Sequence, residues 1–178
     1  MMRVIGLAGW SGAGKTTLLE RLIPELIRRG VSVSTLKRAH HAFEIDKPGK
    51  DSFRHREAGA SEVLIASSRR VAMVQELRGA PEPTLADLLR RLQPVDLVIV
   101  EGFKSERHPK IEIHRLANGQ PYLYPERPAI VALASDAPEP ERLALPVAHL
   151  DDIPAIAELT QRLAEPLDAV LRKLAQGD

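Results

Sequence analysis

An α/β domain with a mostly parallel sheet flanked by helices is the fold class that the sequence predicts, and three observations predict it. Short, wholly apolar segments alternate with helical repeats along the 178 residues, the pattern of a parallel sheet buried on both faces. A glycine-rich turn joins the first apolar segment to the first helix. The composition is 44% hydrophobic and 28% charged with no cysteine. A chain of this length buries roughly 70% of the surface its unfolded form exposes, so one domain over residues 1–178 is expected without a disulfide or structural metal.

Each element follows from a local pattern. Arg3 to Ala8 is apolar and bounded by Gly9, which reads as a buried strand. From Thr16 to Arg29, Leu18, Leu19, Leu22, Ile23, Leu26 and Ile27 recur at helical spacing, Gly30 caps the end, and Pro24 is expected to kink the helix. Val31 to Lys37 reads as a second strand, followed by a polar stretch from Arg38 to Lys50 long enough to be a functional loop. Asp51 to Ala58 predicts a short helix, and Val63 to Ala66 with Val71 to Gln75 a hairpin across Ser67 to Arg70. Capping-box spacing from Thr84 to Asp87 starts a helix over Leu85 to Leu92 that Pro94 ends. Strands are expected at Leu97 to Val100, Ile111 to His114, Ile130 to Leu133 and Val147 to Leu150. The tail carries Ile156, Leu159, Leu163, Leu167, Val170 and Leu174 in register, predicting one closing helix started by Asp151 or Asp152 and bent at Pro166.

The absence of cysteine removes zinc ribbons, iron–sulfur clusters, thiol catalysis and disulfide frameworks. A net charge of +1 makes no global case for nucleic acid or a membrane surface. No apolar run approaches the roughly 18 residues of a membrane span, and the opening residues lack the apolar core and cleavage site of a signal peptide, so a cytoplasmic protein is expected.

The decisive motif is Gly9-Trp10-Ser11-Gly12-Ala13-Gly14-Lys15-Thr16, a full match to GxxxxGK[ST] between a strand and a helix. It predicts a three-layer P-loop NTPase domain. Glycines let the chain curl so that backbone N–H groups and the helix N-terminus face phosphates. Lys15 can then reach the β and γ phosphates, and the Thr16 hydroxyl can ligate Mg²⁺. The run Asp96-Leu97-Val98-Ile99-Val100-Glu101-Gly102 places Glu101 where a Walker B acid belongs, while Asp96 falls at the opposite edge of the sheet. Glu101 is the candidate for a water-mediated Mg²⁺ contact or for orienting the attacking water, and otherwise is an ordinary strand-end acid. Gly102 would let the backbone pass close to the phosphates. After the strand ending at Leu133, Asp136 can accept the paired ring N–H and amine of guanine, or cap a turn before Pro138; the residues leave both open.

The near-neutral total conceals opposite halves. Between Arg28 and Arg56 eight cations face three acids, and from Asp136 to Asp178 four cations face nine acids. The basic stretch beside the phosphate loop suggests a second anion, with Lys37, His40, His41, Lys50, Asp51, Arg54 and Arg56 as candidates. No diagnostic ligand spacing links His40, His41 and His55, so they read as anion or backbone contacts ahead of a metal site. Arg54 and Arg56 could stabilise developing phosphate charge, and Asp51 could add a Mg²⁺ or water contact. Trp10 reads as a tolerated loop position. The same loop would also serve a small-molecule kinase in which Glu101 or Asp51 activates an acceptor hydroxyl, or a nucleotide-sensing module without hydrolysis.

The segments GWSGAGKT, TLKRAHH, IDKPGKDSFRHREAGA and DLVIVEGFK together resemble the molybdopterin-guanine dinucleotide biosynthesis adaptor family, over most of the chain up to about Asp136. The resemblance implies a GTP-binding homodimer with slow GTPase activity. It also implies work alongside the nucleotidyltransferase that joins GMP to molybdopterin. By position, Gly9 to Thr17, including Ser11, Gly12, Ala13, Gly14 and Thr17, matches the family's nucleotide loop, and Glu101 its strand-end acid. Lys37 through Arg56 would then face molybdopterin, its dinucleotide or the partner enzyme.

Overall fold

The structure is a computed structural model that describes residues 1–39, 46–137 and 143–176. They form two compact units, Met1–Arg38 with Leu85–Asp178, and Ala39–Thr84. His40 and His41 lie outside the described residues.

The first unit is built on one sheet. Its strands are β1 (Arg3–Ala8), β2 (Val33–Lys37), β5 (Leu97–Glu101), β6 (Lys110–His114), β7 (Ile130–Ser135) and β8 (Val147–His149), parallel in the order β2-β5-β1-β6-β7-β8. A two-residue strand β9 (Glu165–Pro166) joins the start of β1 antiparallel. The registers pair Lys37 and Leu7 with Glu101, Ala8 with Glu112, and His114 with Ser135. The loops after β1, β2, β5, β6 and β7 therefore leave from one edge of the sheet, where ligands of such folds collect.

Strand alternation divides the apolar side chains between two layers. On one face Ile5, Leu7, Ile99, Ile111 and Ile113 pack against Leu18, Leu22 and Leu26 of α1 (Lys15–Arg28) and Ile156, Ala157 and Leu159 of α4 (Ile153–Leu163). On the other, Val4, Val98 and Val100 meet Leu85 and Leu89 of α3 (Leu85–Arg91) and Val170 of α5 (Leu167–Ala175). This is the α/β architecture that the sequence predicts, and the strand positions agree within two residues. Among the described residues no helix is long and apolar enough to cross a membrane.

The tail differs from its expectation. The closing helix is two helices, α4 and α5, with β9 between them. Asp152 is the residue that starts α4, its carboxylate accepting the Ala155 N–H at 2.9 Å. Pro166 cannot supply the N–H of a continuing helix. The chain instead turns extended, Leu167 N–H bonds the Met2 carbonyl at 3.0 Å, and the Arg3 guanidinium donates to the Ala164 carbonyl.

One stretch of β6 is polar and yet buried. Lys110, Glu112 and His114 are each less than 10% exposed, as is His108 ahead of them. Glu112 accepts the N–H groups of Leu123 (2.7 Å) and Tyr124 (2.9 Å), starting the 3₁₀ turn Tyr124–Glu126. The His114 ring lies between Ser135 Oγ at 3.2 Å and the Gln120 carbonyl at 3.0 Å, and it stacks on Tyr122. Lys110 Nζ donates to the carbonyls of His108 and Glu106. Burial lowers Lys110 to about 8 and His108 to about 3, and holds the Glu112 carboxyl above its usual value.

The second unit contains α2 (Asp51–Glu57) and the antiparallel hairpin β3 (Glu62–Ala66) with β4 (Val71–Gln75). Arg56 anchors it, pairing with Asp46 at 3.3 Å and with Glu76 at 2.5 Å. Its guanidinium is also 5.3 Å from the Phe53 ring centroid.

Candidate phosphate-binding site

The glycine loop sits between the central strand β1 and α1. Gly9 has φ 150°, and a Cβ there would lie 2.5 Å from the Ile113 carbonyl oxygen, so the neighbouring strand leaves room for hydrogen alone. Gly14 caps α1 in the left-handed region at φ 86°. Ala13 is buried, anchoring the loop from below, while Ser11, Gly12, Thr16 and Thr17 are exposed. A curl of this shape ending on a helix N-terminus suits an anion.

Lys15 is the strongest feature of the loop. Its ammonium donates to the carbonyls of Gly9 and Trp10, both at 3.0 Å. Burial holds its pKa below the usual lysine value, against the opposing pull of Glu101. A cation resting on neutral carbonyls has exchangeable partners. Phosphate oxygens would replace them with charge-assisted bonds.

Glu101 ends β5 at the same edge, largely shielded and 3.7 Å from Lys37 Nζ across the β2–β5 pairing. Thr16 and Glu101 supply hard oxygen donors of the kind Mg²⁺ takes. Asp96 lies at the opposite end of the strand, as its sequence position predicts, where it accepts from the Ser32 N–H and hydroxyl. Gly102, at φ 95°, makes its close approach to Arg38: a Cβ would be 2.9 Å from that residue's carbonyl oxygen.

Asp136 lies past β7 at the same edge. One carboxylate oxygen accepts the Leu116 N–H at 2.6 Å and the other is 3.5 Å from Arg115 Nη1. It thus secures the 3₁₀ turn Leu116–Asn118 after β6. Lys37 belongs to the first unit. Lys50, Asp51 and Arg54 are exposed in the second, and Arg56 is tied into that unit's ion pairs.

Three residues at the loop escape sequence reasoning. Asn118 Nδ2 donates to the Ser11 carbonyl at 3.0 Å. Arg115 Nη2 would be 3.4 Å from a Cβ on Gly14. The Lys104 ammonium stands 5.5 Å from the Trp10 ring centroid. All three follow the carboxyl ends of β5 and β6, and that placement is the signal that could have found them. Trp10 is also more than a tolerated position, because its Nε1–H bonds the Pro121 carbonyl at 2.8 Å.

A parallel sheet whose central strand feeds a GxxxxGK[ST] loop into a helix defines a P-loop NTPase-like α/β protein. A family model described as molybdopterin guanine dinucleotide synthesis protein B matches residues 4–136, and the chain belongs to that family, MobB. It is 43% identical over 163 residues to a molybdopterin-guanine dinucleotide biosynthesis adapter protein of Haemophilus influenzae, covering 89% of this chain and 87% of that one. It is 41% identical over 166 residues to the adapter protein of Escherichia coli, covering 89% and 91%. A crystal structure of molybdopterin-guanine biosynthesis protein B superposes with a TM-score of 0.70 at 27% identity, over 90% of this chain and 99% of that one.

Proposed function

We propose that this chain is a GTP-binding adapter of molybdopterin-guanine dinucleotide biosynthesis with slow GTPase activity, serving the nucleotidyltransferase that attaches GMP to molybdopterin. The adapter role is supported by family membership. The nucleotide reading is carried by Lys15, a half-buried ammonium held on the glycine loop by two neutral carbonyls. In this reading Gly12 to Thr17 cradle the phosphates, while Thr16 and Glu101 hold Mg²⁺, which would neutralise charge developing between the β and γ phosphates. With GTP labelled at the γ position and Mg²⁺, slow release of phosphate to water is expected. Label appearing on an organic acceptor would replace this reading by a small-molecule kinase.

Asp136 is the proposed guanine reader. Asp136→Asn retains an oxygen for the Leu116 N–H and removes the second carboxylate oxygen that guanine needs. It is expected to weaken GTP at least tenfold while ATP binding is unchanged, measured by calorimetry. Equal effects on both nucleotides would discard the guanine assignment.

The exposed Lys50, Asp51 and Arg54 of the second unit are the proposed contacts for molybdopterin, its dinucleotide or the partner enzyme. Homodimerisation is assigned to the hairpin. Leu64 (66% exposed), Met73 (51%) and Val71 (66%) share one face of β3 and β4 through the pairs Leu64–Met73 and Ala66–Val71, an apolar surface suited to a second copy. Leu64→Glu with Met73→Glu is expected to give a monomer by light scattering; an unchanged dimer would place the interface elsewhere.

A further inference from the structure

We infer that Lys104 is a second phosphate-directed lysine of the loop, one that binds the terminal phosphate of a nucleoside triphosphate and so favours the triphosphate over the diphosphate. The inference rests on the nucleotide reading above and names the part of the ligand that Lys104 recognises.

Strand register brings Lys104 to the loop. Leu7 of β1 pairs with Glu101 of β5 in parallel, and Trp10 and Lys104 each follow three residues later, leaving neighbouring strands at the same edge. The Trp10 ring is fixed by its Nε1–H bond to the Pro121 carbonyl at 2.8 Å, and the Lys104 ammonium stands 5.5 Å from the centroid of that ring. The Lys15 ammonium bonds the carbonyl of the same Trp10 at 3.0 Å. Two ammonium groups thus flank one loop residue, and the charge of Lys104 works against that of Lys15.

These two charges are held by neutral groups. Lys15 rests on two carbonyls and Lys104 on an aromatic face, and among the described residues neither forms an ion pair with an acid. Glu101, the acid at this edge, is 3.7 Å from a third cation, Lys37. A cation over a partly exposed ring gains less than one bonded to a phosphate oxygen. The perch on Trp10 is therefore one that a phosphate displaces.

Strand order says which phosphate. β5 and β6 flank β1 on opposite sides, and β7 lies beyond β6. Asp136, the proposed guanine reader, follows β7, whereas Lys104 follows β5. A nucleotide with its base at Asp136 runs across the end of β1 toward β5, with its inner phosphates over the start of α1. Its terminal phosphate is then the part that arrives beside Glu101 and Lys104. A diphosphate stops short of Lys104 and leaves it on the ring.

Calorimetry with a non-hydrolysable β,γ-imido analogue of GTP and with GDP, each with Mg²⁺, compares the wild-type protein with Lys104→Gln. The substitution is expected to weaken the analogue by about tenfold or more, the worth of one charge-assisted bond, and to leave GDP within about threefold. An unchanged ratio of the two affinities overturns the proposal, including the case where both weaken together, which loss of packing on Trp10 alone would cause. If Lys104→Gln fails to melt cooperatively, Lys104→Met, which keeps an apolar stem on the ring, is read against the same criterion. Wild-type protein that binds neither nucleotide sinks the nucleotide reading and this proposal with it; wild-type binding with an unchanged ratio sinks this proposal alone.

Discussion

Lys15→Ala is expected to weaken GTP·Mg²⁺ binding by about 100- to 1000-fold. Nucleotide binding would exchange the two carbonyl partners of Lys15 for phosphate oxygens, and each charge-assisted bond lost costs roughly 1.5–3 kcal/mol, or about 3–4 kcal/mol for two after partial compensation by solvent. The fold should survive the change. The ammonium sits in a partly desolvated position that burial already disfavours, so removing it sheds a desolvation cost along with the bonds to Gly9 and Trp10. Calorimetry with GTP gives the affinity, and a urea melt within about 1 kcal/mol of wild type verifies the fold. Lys15→Arg is not expected to restore binding, because a planar guanidinium cannot occupy a pocket shaped for a compact ammonium. Affinity within threefold of wild type for Lys15→Ala would remove the loop from the nucleotide reading.

What the sequence made legible at this site is what a strand–loop–helix unit contains within itself. The spacing from Gly9 to Thr16 is local, and the apolar run ending in Glu101 is local, so both could be placed at the carboxyl edge of a parallel sheet from pattern alone. The register then set Leu7, Lys37 and Glu101 side by side. The partners that arrive from elsewhere in the chain were not legible. Arg115, Asn118 and Lys104 reach the loop because β6 and β5 flank β1, and no periodicity states which strands are neighbours. Arg56 illustrates the reverse. As a charge in a basic stretch it suggests a phosphate, but Asp46 and Glu76 are brought to it by the turn before α2 and the end of β4. In the tail, helical spacing carried on through Pro166, and only the docking of Met2 and Arg3 against residues 164–167 shows why the chain is extended there. Nor does the strand pattern at Ile111 to His114 state what buries the alternating Lys110, Glu112 and His114: Glu112 and His114 hold the segment from Gln120 to Tyr124 by hydrogen bonds, and Lys110 holds the carbonyls of Glu106 and His108.

That covered polar row gives the largest expected effect on stability. Glu112→Ala should destabilise the protein by about 2–4 kcal/mol, since it strands two N–H groups, those of Leu123 and Tyr124, at a position with no exposure, and an orphaned buried donor costs roughly 1–3 kcal/mol. For a chain of this size the melting temperature should fall by about 5–15 °C. The pH dependence separates the carboxyl's charge from its hydrogen bonds. Burial holds the Glu112 carboxyl above its usual 4.5, so between that value and its folded-state value the native protein retains a proton that the unfolded chain has lost. The native state binds more protons in this window, and stability from this group therefore falls as pH rises through it and is constant above. Glu112→Gln cannot titrate and lacks this slope. The unfolding free energy of wild type minus that of Glu112→Gln, from urea melts between pH 4.5 and 7, should decrease as pH rises. No decrease over this range would mean that the two N–H bonds outweigh desolvation and hold Glu112 as a carboxylate, a buried negative charge on β6.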